Sequence, residues 1–138
     1  MKKLQILWVG EETPAPNINT PAEVYEAVKT EFENADREKF IVLHLNAKNK
    51  ITSLEVVSVG ILNSSLAHPR EVFKGAILAN ANSIICVHNH PSGDLEPSSN
   101  DLALTKRLSD AGKILGVEVL DHLIVGEGYL SMKERNLM

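Results

Sequence analysis

The sequence is poor in cysteine, in aromatic residues and in positive charge. Cys86 is its single cysteine, which excludes an internal disulfide and is typical of a protein in a reducing compartment. Aromatic residues make up 4% of the 138 residues, so aliphatic side chains must form most of the core. The formal net charge is -4, whereas non-specific nucleic-acid binding uses a basic surface. We therefore do not expect direct binding to nucleic acid.

Long apolar runs are also missing. No stretch approaches the roughly 18 apolar residues of a membrane span. The run from Leu4 to Val9 is too short for a signal peptide, and Glu11 and Glu12 follow at once. We therefore expect a cytoplasmic protein with no membrane partner. The length suits one domain, which we place over residues 1–138, with its core at about 20–126 and an N-terminal strand and loop at 1–19.

Signals for helices and strands alternate along the chain. The run Thr20-Pro21-Ala22-Glu23 combines an N-cap, a first-turn proline and a capping box, and predicts a helix to about Ala35. Two more helices are predicted, from Pro69 to about Leu78 and from Ser98 to a stop at Gly116. Strands are predicted at residues 4–9, 38–45, 51–59, 83–87 and 117–125, the last bent near Asp121. The alternation predicts an α/β fold with a central sheet flanked by helices.

The most informative stretch reads HNHPSGDLEPSSND and runs from His88 to Asp101, between a predicted buried strand and the third helix. His88 and His90 are two residues apart, so an extended chain points both side chains the same way, with Cα atoms about 6.6 Å apart. Both imidazoles can therefore reach one ion, at Zn–N distances of about 2.0–2.1 Å. The loop can fold back to add Asp101 as a third ligand. Three protein ligands leave one position open, as in catalytic zinc sites, and we predict one Zn²⁺ per chain.

Each of these residues also has an ordinary structural explanation. A His-x-His pair at a strand end is more often surface or core histidine than a pair of ligands. Ser98-x-x-Asp101 is by itself an N-capping box, and Pro91–Gly93 can simply form a turn. The spacing of the whole set is what favours a metal site.

That spacing resembles the JAMM motif of the JAB1/MPN metalloprotease superfamily, which is His-x-His, seven residues, then Ser-x-x-Asp, with a glutamate far upstream. Here the seven residues are Pro91 to Pro97. The strings HPREV from His68 and DHLIV from Asp121, and the asparagine between the two histidines, look like the RadC branch. The resemblance covers roughly Glu38 to Val125. It implies a JAB1/MPN-like mixed sheet, similar in architecture to the cytidine deaminases.

The resemblance also implies roles for the matched positions. The metal ligands would be His88, His90 and Asp101. Ser98 would hydrogen-bond near the metal and help to hold the oxyanion, and the upstream glutamate would be the general base. We place this base at Glu38, which begins the first core strand after the first helix. Glu71 is the competing candidate, although a first-turn carboxylate after Pro69 is also explained by the helix dipole.

Five other side chains are weaker candidates. The pair Asp121-His122 could orient a metal ligand from behind, but His44 and His122 both lie in strand-like runs that suggest a structural place. His68 precedes Pro69 and suits a helix cap. Cys86 precedes the first histidine by two residues, yet a free buried thiol is commoner than a mixed cysteine and histidine site.

The leading function is a zinc-dependent hydrolase of peptide or isopeptide bonds, acting on a peptide or protein that the sequence does not identify. The alternative is a non-catalytic or DNA-repair-associated RadC-like metal-binding protein. The net charge weighs against direct DNA contact, as does the lack of the helix-hairpin-helix segment that longer RadC members carry.

Zinc deaminases need His-x-Glu and Pro-Cys-x-x-Cys, which one cysteine cannot supply. The contiguous letters HNH do not reproduce the nuclease of that name, whose residues are spread over a hairpin and a helix. Nothing in the sequence specifies an oligomeric state.

Overall fold

The structure is a computed structural model that describes residues 1–3, 16–60 and 67–138. Its helices are α1 (Pro21–Val28), α2 (Pro69–Leu78) and α3 (Ser99–Leu115), and a 3-10 helix (Lys29–Phe32) follows α1. Its strands are β1 (Glu38–Leu45), β2 (Ile51–Gly60), β3 (Ser83–Asn89), β4 (Glu118–Gly126) and β5 (Gly128–Ser131). Within the described residues, no helix is both long enough and apolar enough to cross a membrane. The strand predicted at residues 4–9 lies outside the described residues.

The described strands form one mixed sheet in the order β2-β1-β3-β4-β5. β1 is antiparallel to both β2 and β3, whereas β3 and β4 are parallel. α3 is the crossover between these two parallel strands, so it begins at the sheet edge where β3 ends. The topology therefore brings the His-x-His pair and the Ser-x-x-Asp sequence to one edge of the sheet. The predicted α/β fold with a central mixed sheet is confirmed.

The sheet is covered on both faces. α2 and α3 cover one face, and the core there includes Phe40, Val42, Phe73, Ile84, Cys86, Leu104 and Leu108. α1 covers the other face, and the core there includes Val24, Val28, Ile41, Leu43, Ile85, Val87 and Leu123. β3 lies between the two cores, and all of its residues are buried. This burial explains why the strand reads as a continuous apolar run rather than as an alternation.

The start of the first helix is as predicted, but its end is not. The Thr20 side chain accepts the Glu23 N–H, and the Glu23 carboxylate accepts the Thr20 N–H, which confirms the capping box. The α-helix stops at Val28 and tightens into the 3-10 helix, and the chain turns at Asn34, where φ is 55°. Tightening of a last turn is common and needs no glycine, so the sequence carries no signal at Val28.

β3 and β4 agree with the predicted strands except in two details. β3 continues two residues past its predicted end, so His88 lies within the strand and His90 follows it directly. In the pairing with β3, Val119 and Asp121 face consecutive residues, and Leu120 is the extra residue of a bulge. This bulge is the bend predicted near Asp121.

The C-terminal tail adds an edge strand that the sequence did not predict. β5 pairs antiparallel with β4 after a tight turn, in which Gly128 has a φ of 108°. Leu130 and Met132 are buried and pack with Ile124 in a small cluster of their own. The packed interior therefore extends past residue 126.

Candidate metal centre

The three predicted metal ligands meet where β3 ends and α3 begins. The Nε2 atom of His90 lies 2.9 Å from Oδ2 of Asp101, and that of His88 lies 3.3 Å from Oδ1. The two Nε2 atoms are 3.2 Å apart. Within the described parts of the chain, this is the group of three histidine, cysteine or acidic side chains whose donor atoms all lie within 4.8 Å of one another. Such a group could hold a metal ion.

His90 makes a hydrogen bond on the side of its ring away from the other predicted ligands. This hydrogen bond determines which ring nitrogen can offer a lone pair to a metal ion. Nδ1 of His90 lies 2.8 Å from the carbonyl oxygen of Asp94. A carbonyl can only accept, so Nδ1 carries the hydrogen, and the neutral ring presents a bare lone pair at Nε2. That lone pair faces a carboxylate, and the two would repel unless a cation lay between them. Two imidazole nitrogens and a carboxylate are also the donor set that suits zinc, so these residues fit a divalent metal.

The first turn of α3 fixes the orientation of the carboxylate. The Ser98 N–H donates to Oδ2 of Asp101 at 2.8 Å, and the Asp101 N–H donates to the Ser98 hydroxyl oxygen at 3.0 Å. The residues Ser98 to Asp101 therefore form the N-capping box of α3 and also present the Asp101 carboxylate to the two histidines. The two interpretations of Ser98-x-x-Asp101 are compatible, because one carboxylate has oxygen lone pairs enough for both.

Asp101 is ionised at neutral pH although it is buried. Burial by itself raises the pKa of this carboxyl. Hydrogen bonding to His88 and the charge of that ring when it is protonated, the backbone N–H of Ser98 and hydrogen bonding to a protonated His90 outweigh burial and hold the pKa well below its usual range. A metal ion held at the two Nε2 atoms would take the place of those hydrogens. A carboxylate that stays deprotonated is in the state that metal binding requires.

Ser98 and Glu38 lie at the cavity next to these ligands. The cavity has a volume of about 370 Å³, and His90, Asp101, Ser98 and Glu38 are among the residues that line it. In its contact with the Asp101 N–H, the Ser98 hydroxyl only accepts, so its own hydrogen can still be donated to another group.

The register between β1 and β3 explains the place of Glu38. Phe40 pairs with His88 in this antiparallel ladder. The ladder ends at this pair, so the start of β1 and the residues that follow His88 lie at the same end of the sheet. Glu38, the first residue of β1, lines the same cavity as His90.

Glu71 lies elsewhere, on the exposed first turn of α2. Its carboxylate pairs with the Lys74 ammonium at 2.8 Å. The hydrogen bond from Lys74 and its charge lower the pKa of Glu71. Nearby, His68 caps the helix as predicted, since its Nδ1 accepts the Arg70 N–H at 3.0 Å. Of the two competing glutamates, the structure brings Glu38 to the cavity.

Cys86 does not join the metal ligands. Its thiol packs into the core between the sheet and the two helices α2 and α3. Burial, with a smaller effect of the Asp121 charge, raises the pKa of the thiol to about 12. A thiol that keeps its proton is not a metal ligand, because the thiolate is the binding form. The structure therefore supports the histidine and carboxylate set.

Two buried residues behind His88 complete the site. His122 Nε2 lies 2.7 Å from Nδ1 of His88, and Thr105 Oγ1 lies 2.6 Å from Nδ1 of His122. Burial lowers the pKa of His122 well below its ordinary value, so its ring is neutral. His122 is one of the weaker candidates from the sequence, whereas Thr105 is not among the predicted site residues. A signal for it existed, because Thr105 is four residues after Asp101 and so shares its helix face.

The fold and the site together define a small α/β domain with a histidine and carboxylate ligand set beside an acidic cavity. The RadC-like JAB domain family matches residues 18–137, so the chain belongs to this family, and the predicted resemblance is confirmed.

Several relatives are similar over nearly all of the chain. It is 51% identical over 132 residues to a UPF0758 protein of Rubrobacter xylanophilus, which covers 96% of the chain and 58% of that protein. It is 53% identical over 124 residues to a UPF0758 protein of Desulfitobacterium hafniense, covering 89% and 55%. It is 46% identical over 128 residues to a UPF0758 protein of Methanosarcina mazei, covering 92% and 56%. The chain thus spans somewhat more than half the length of these relatives.

Proposed function

We propose that the domain is a zinc-dependent hydrolase of peptide or isopeptide bonds, with His88, His90 and Asp101 as the metal ligands. The observation that carries the proposal is the convergence of their donor atoms within 4.8 Å of one another, at a cavity that Glu38 and Ser98 also line. When bound, the metal supplies Lewis-acid polarisation of the scissile carbonyl and an activated water.

Glu38 moves the proton in this proposal. It takes a proton from the attacking water and delivers it to the leaving amine, which is the work of a general base and then a general acid. Its place supports the role, because it lines the same cavity as His90 and Asp101.

Ser98 stabilises the oxyanion that develops on the scissile carbonyl. Its oxygen accepts the Asp101 N–H, which holds the hydroxyl at the start of α3. Its hydrogen is then available to the oxygen of the substrate, and a fixed donor of this kind strengthens its contact as charge develops.

The charge of the cavity favours a peptide over a nucleic acid. The described residues that line it include the carboxylates of Glu38, Asp94, Glu96 and Asp101, and none of them is a lysine or arginine. Such a wall repels phosphates, which nucleic-acid sites neutralise with basic side chains. This weighs against the alternative of a DNA-repair-associated protein that binds DNA at this site.

The test begins with metal content. Protein purified without added metal should contain about one zinc per chain by elemental analysis, and His90→Ala and Asp101→Ala should contain little. His68→Ala, which removes a helix cap away from the site, is the matched control and should retain its zinc. A chelator should also lower the thermal stability of the wild type, since a metal that binds only the folded state stabilises it.

Activity is then measured on a panel of peptides and isopeptide-linked conjugates. The zinc-loaded wild type should cleave a member of the panel, and Glu38→Gln should keep its zinc but lose the cleavage. Wild type without zinc would overturn the metal site. Zinc without cleavage of any member would favour the non-catalytic alternative.

A further inference from the structure

The ring of His88 is held from behind by another histidine. Its Nδ1 lies 2.7 Å from Nε2 of His122, whose Nδ1 lies 2.6 Å from the Thr105 hydroxyl. The hydroxyl in turn lies 2.8 Å from the carbonyl oxygen of Asp101. All three side chains are buried, at 0%, 0% and 1% exposure for His88, His122 and Thr105. The chain of contacts therefore starts at the backbone of one metal ligand and ends at the ring of another.

The hydrogens along this chain can point in one direction. The carbonyl of Asp101 only accepts, so the single hydroxyl hydrogen of Thr105 is donated to it. The sulfur of Met132, 3.3 Å from the same hydroxyl, is a weaker acceptor. The Thr105 oxygen must then accept from His122, which places the hydrogen of that ring on Nδ1.

The same logic extends to the metal ligand. A second hydrogen on His122 would make the ring a buried cation, and no carboxylate contacts it in the described structure to offset that cost. Nε2 of His122 is therefore bare and accepts from Nδ1 of His88. The neutral ring of His88 is left with a bare Nε2, which is the atom that faces Asp101 at 3.3 Å.

We infer that Thr105 and His122 are positioning residues that fix the tautomer and ring orientation of His88 and thereby set the metal affinity. The inference rests on the proposed metal site. Histidine ligands usually donate their second N–H to a carboxylate, a carbonyl or water. Here the acceptor is an imidazole with two tautomers of its own, so a further residue is needed to select one. Thr105 makes that selection.

The row of hydrogen bonds from Asp101 to His88 also couples three elements of the fold. Thr105 belongs to α3, His122 to β4 and His88 to β3. A displacement of α3 would move Asp101 directly and His88 through the hydrogen bonds. The site therefore depends on α3 for two of its three ligands.

The experiment measures zinc affinity at pH 8 by competition with a chromophoric chelator. Thr105→Val keeps the shape of the side chain but removes the hydroxyl, and His122→Phe removes the acceptor. Each should weaken zinc binding by about 10–100-fold. Thr105→Ser restores the hydroxyl and should return the affinity to the wild-type value. His44→Phe is the control, because His44 is a buried histidine on β1 that hydrogen-bonds Ser53 at 2.7 Å, away from the ligands.

A second measurement reads the tautomers directly. In ¹⁵N-histidine spectra of the metal-free wild type at pH 8, His88 and His122 should each carry the hydrogen on Nδ1. Thr105→Val should remove that preference at His122, whereas Thr105→Ser should keep it. This comparison uses wild type and two conservative variants, so it decides the question even where His122→Phe does not fold.

Two results would separate failure of the inference from failure of the proposed function. Zinc bound equally tightly by wild type, Thr105→Val and His122→Phe, or a hydrogen on Nε2 of His88, would overturn the positioning chain alone. A wild-type protein that binds no zinc would overturn the metal site on which the inference rests.

Discussion

The side chain of Asn89 holds the backbone of Lys39 on the neighbouring strand. Its Oδ1 accepts the Lys39 N–H at 2.8 Å, and its Nδ2 donates to the carbonyl oxygen of Arg37 at 3.1 Å. The two contacts bracket Glu38. The residue between the two histidines therefore ties the predicted metal ligands to the strand end that carries the proposed base.

Asn89→Ala should loosen Glu38 without affecting the metal. We expect unchanged zinc content and a lower kcat on any substrate found, by up to about 10²-fold, since small displacements of a reacting group are costly. A readout that needs no substrate is the exchange of the Lys39 amide hydrogen, which should become faster. Asn89→Asp, which keeps the acceptor for Lys39 but loses the donor to Arg37, should retain that protection. Slow exchange of the Lys39 amide hydrogen in Asn89→Ala would contradict the proposed role of the Asn89 side chain in holding this strand end.

Glu38→Gln and Glu71→Gln form a matched pair of variants. The first should lose about 10²–10⁴ in activity while it retains zinc and fold, as is typical when a general base is removed. The second should remain active, because Glu71 is exposed and paired with Lys74. Both are compared in kcat and in zinc content. An active Glu38→Gln beside an inactive, folded Glu71→Gln would show that the wrong glutamate had been chosen.

His44 should make the protein less stable in acid. Burial lowers its pKa from 6.5 to about 4, so as the pH falls the unfolded chain takes up the proton first. The stability contributed by the neutral ring is complete above about pH 6.5 and is lost between there and about pH 4. By the usual relation of 1.36 kcal/mol per pKa unit, the loss is on the order of 3 kcal/mol.

The measurement compares urea unfolding of wild type and His44→Phe from pH 8 to pH 4 with a chelator present. Glu55 lies 3.7 Å from His44, and burial raises the pKa of its carboxyl, which would reduce stability as the pH rises. Because Glu55 and His122 are present in both proteins, the difference between the two curves is expected to report mainly on His44. The free energy of unfolding of the wild type minus that of His44→Phe should be constant above pH 7 and should fall by about 3 kcal/mol towards pH 4. If the unfolding free energies of the two proteins changed in parallel with pH, His44 would not be the source of the acid sensitivity.

The grouping of the three predicted metal ligands could be anticipated because their arrangement is local. His88 and His90 need a strand end, and Asp101 needs a helix N-cap at a fixed distance along the chain, all of which the sequence displays. The extent of β1 and the limits of α2 were likewise predictable, since Pro69 and the strand composition mark them.

The rest depends on contacts between distant residues. The choice of Glu38 over Glu71 follows from the register of β1 on β3, which no local pattern specifies. The row of hydrogen bonds through Thr105 and His122 joins three elements of the fold. Each of these residues therefore looks ordinary in its own segment of the sequence. β5 is four residues long, too short for an alternation to stand out.

Ser98 is the residue at which a structural role and a catalytic role use one hydroxyl. Its oxygen caps α3 by accepting the Asp101 N–H at 3.0 Å, and its hydrogen is the proposed oxyanion donor. Ser98→Ala should therefore lose both, with a cost of roughly 0.5–2 kcal/mol in stability and about 10²–10³-fold in turnover. Ser98→Thr keeps both groups and is the control.

Ser98→Asp separates the two roles. An aspartate also caps helices well, so most of the thermal stability should remain. Its ionised carboxylate cannot donate a hydrogen bond, and it adds negative charge where the oxyanion would develop. We expect a folded protein that still contains zinc and does not turn over, measured by thermal unfolding, elemental analysis and kcat on one preparation. An active Ser98→Asp would leave Ser98 as a helix cap alone, and the oxyanion would then need another donor, while the assignment of His88, His90 and Asp101 as ligands would stand unchanged.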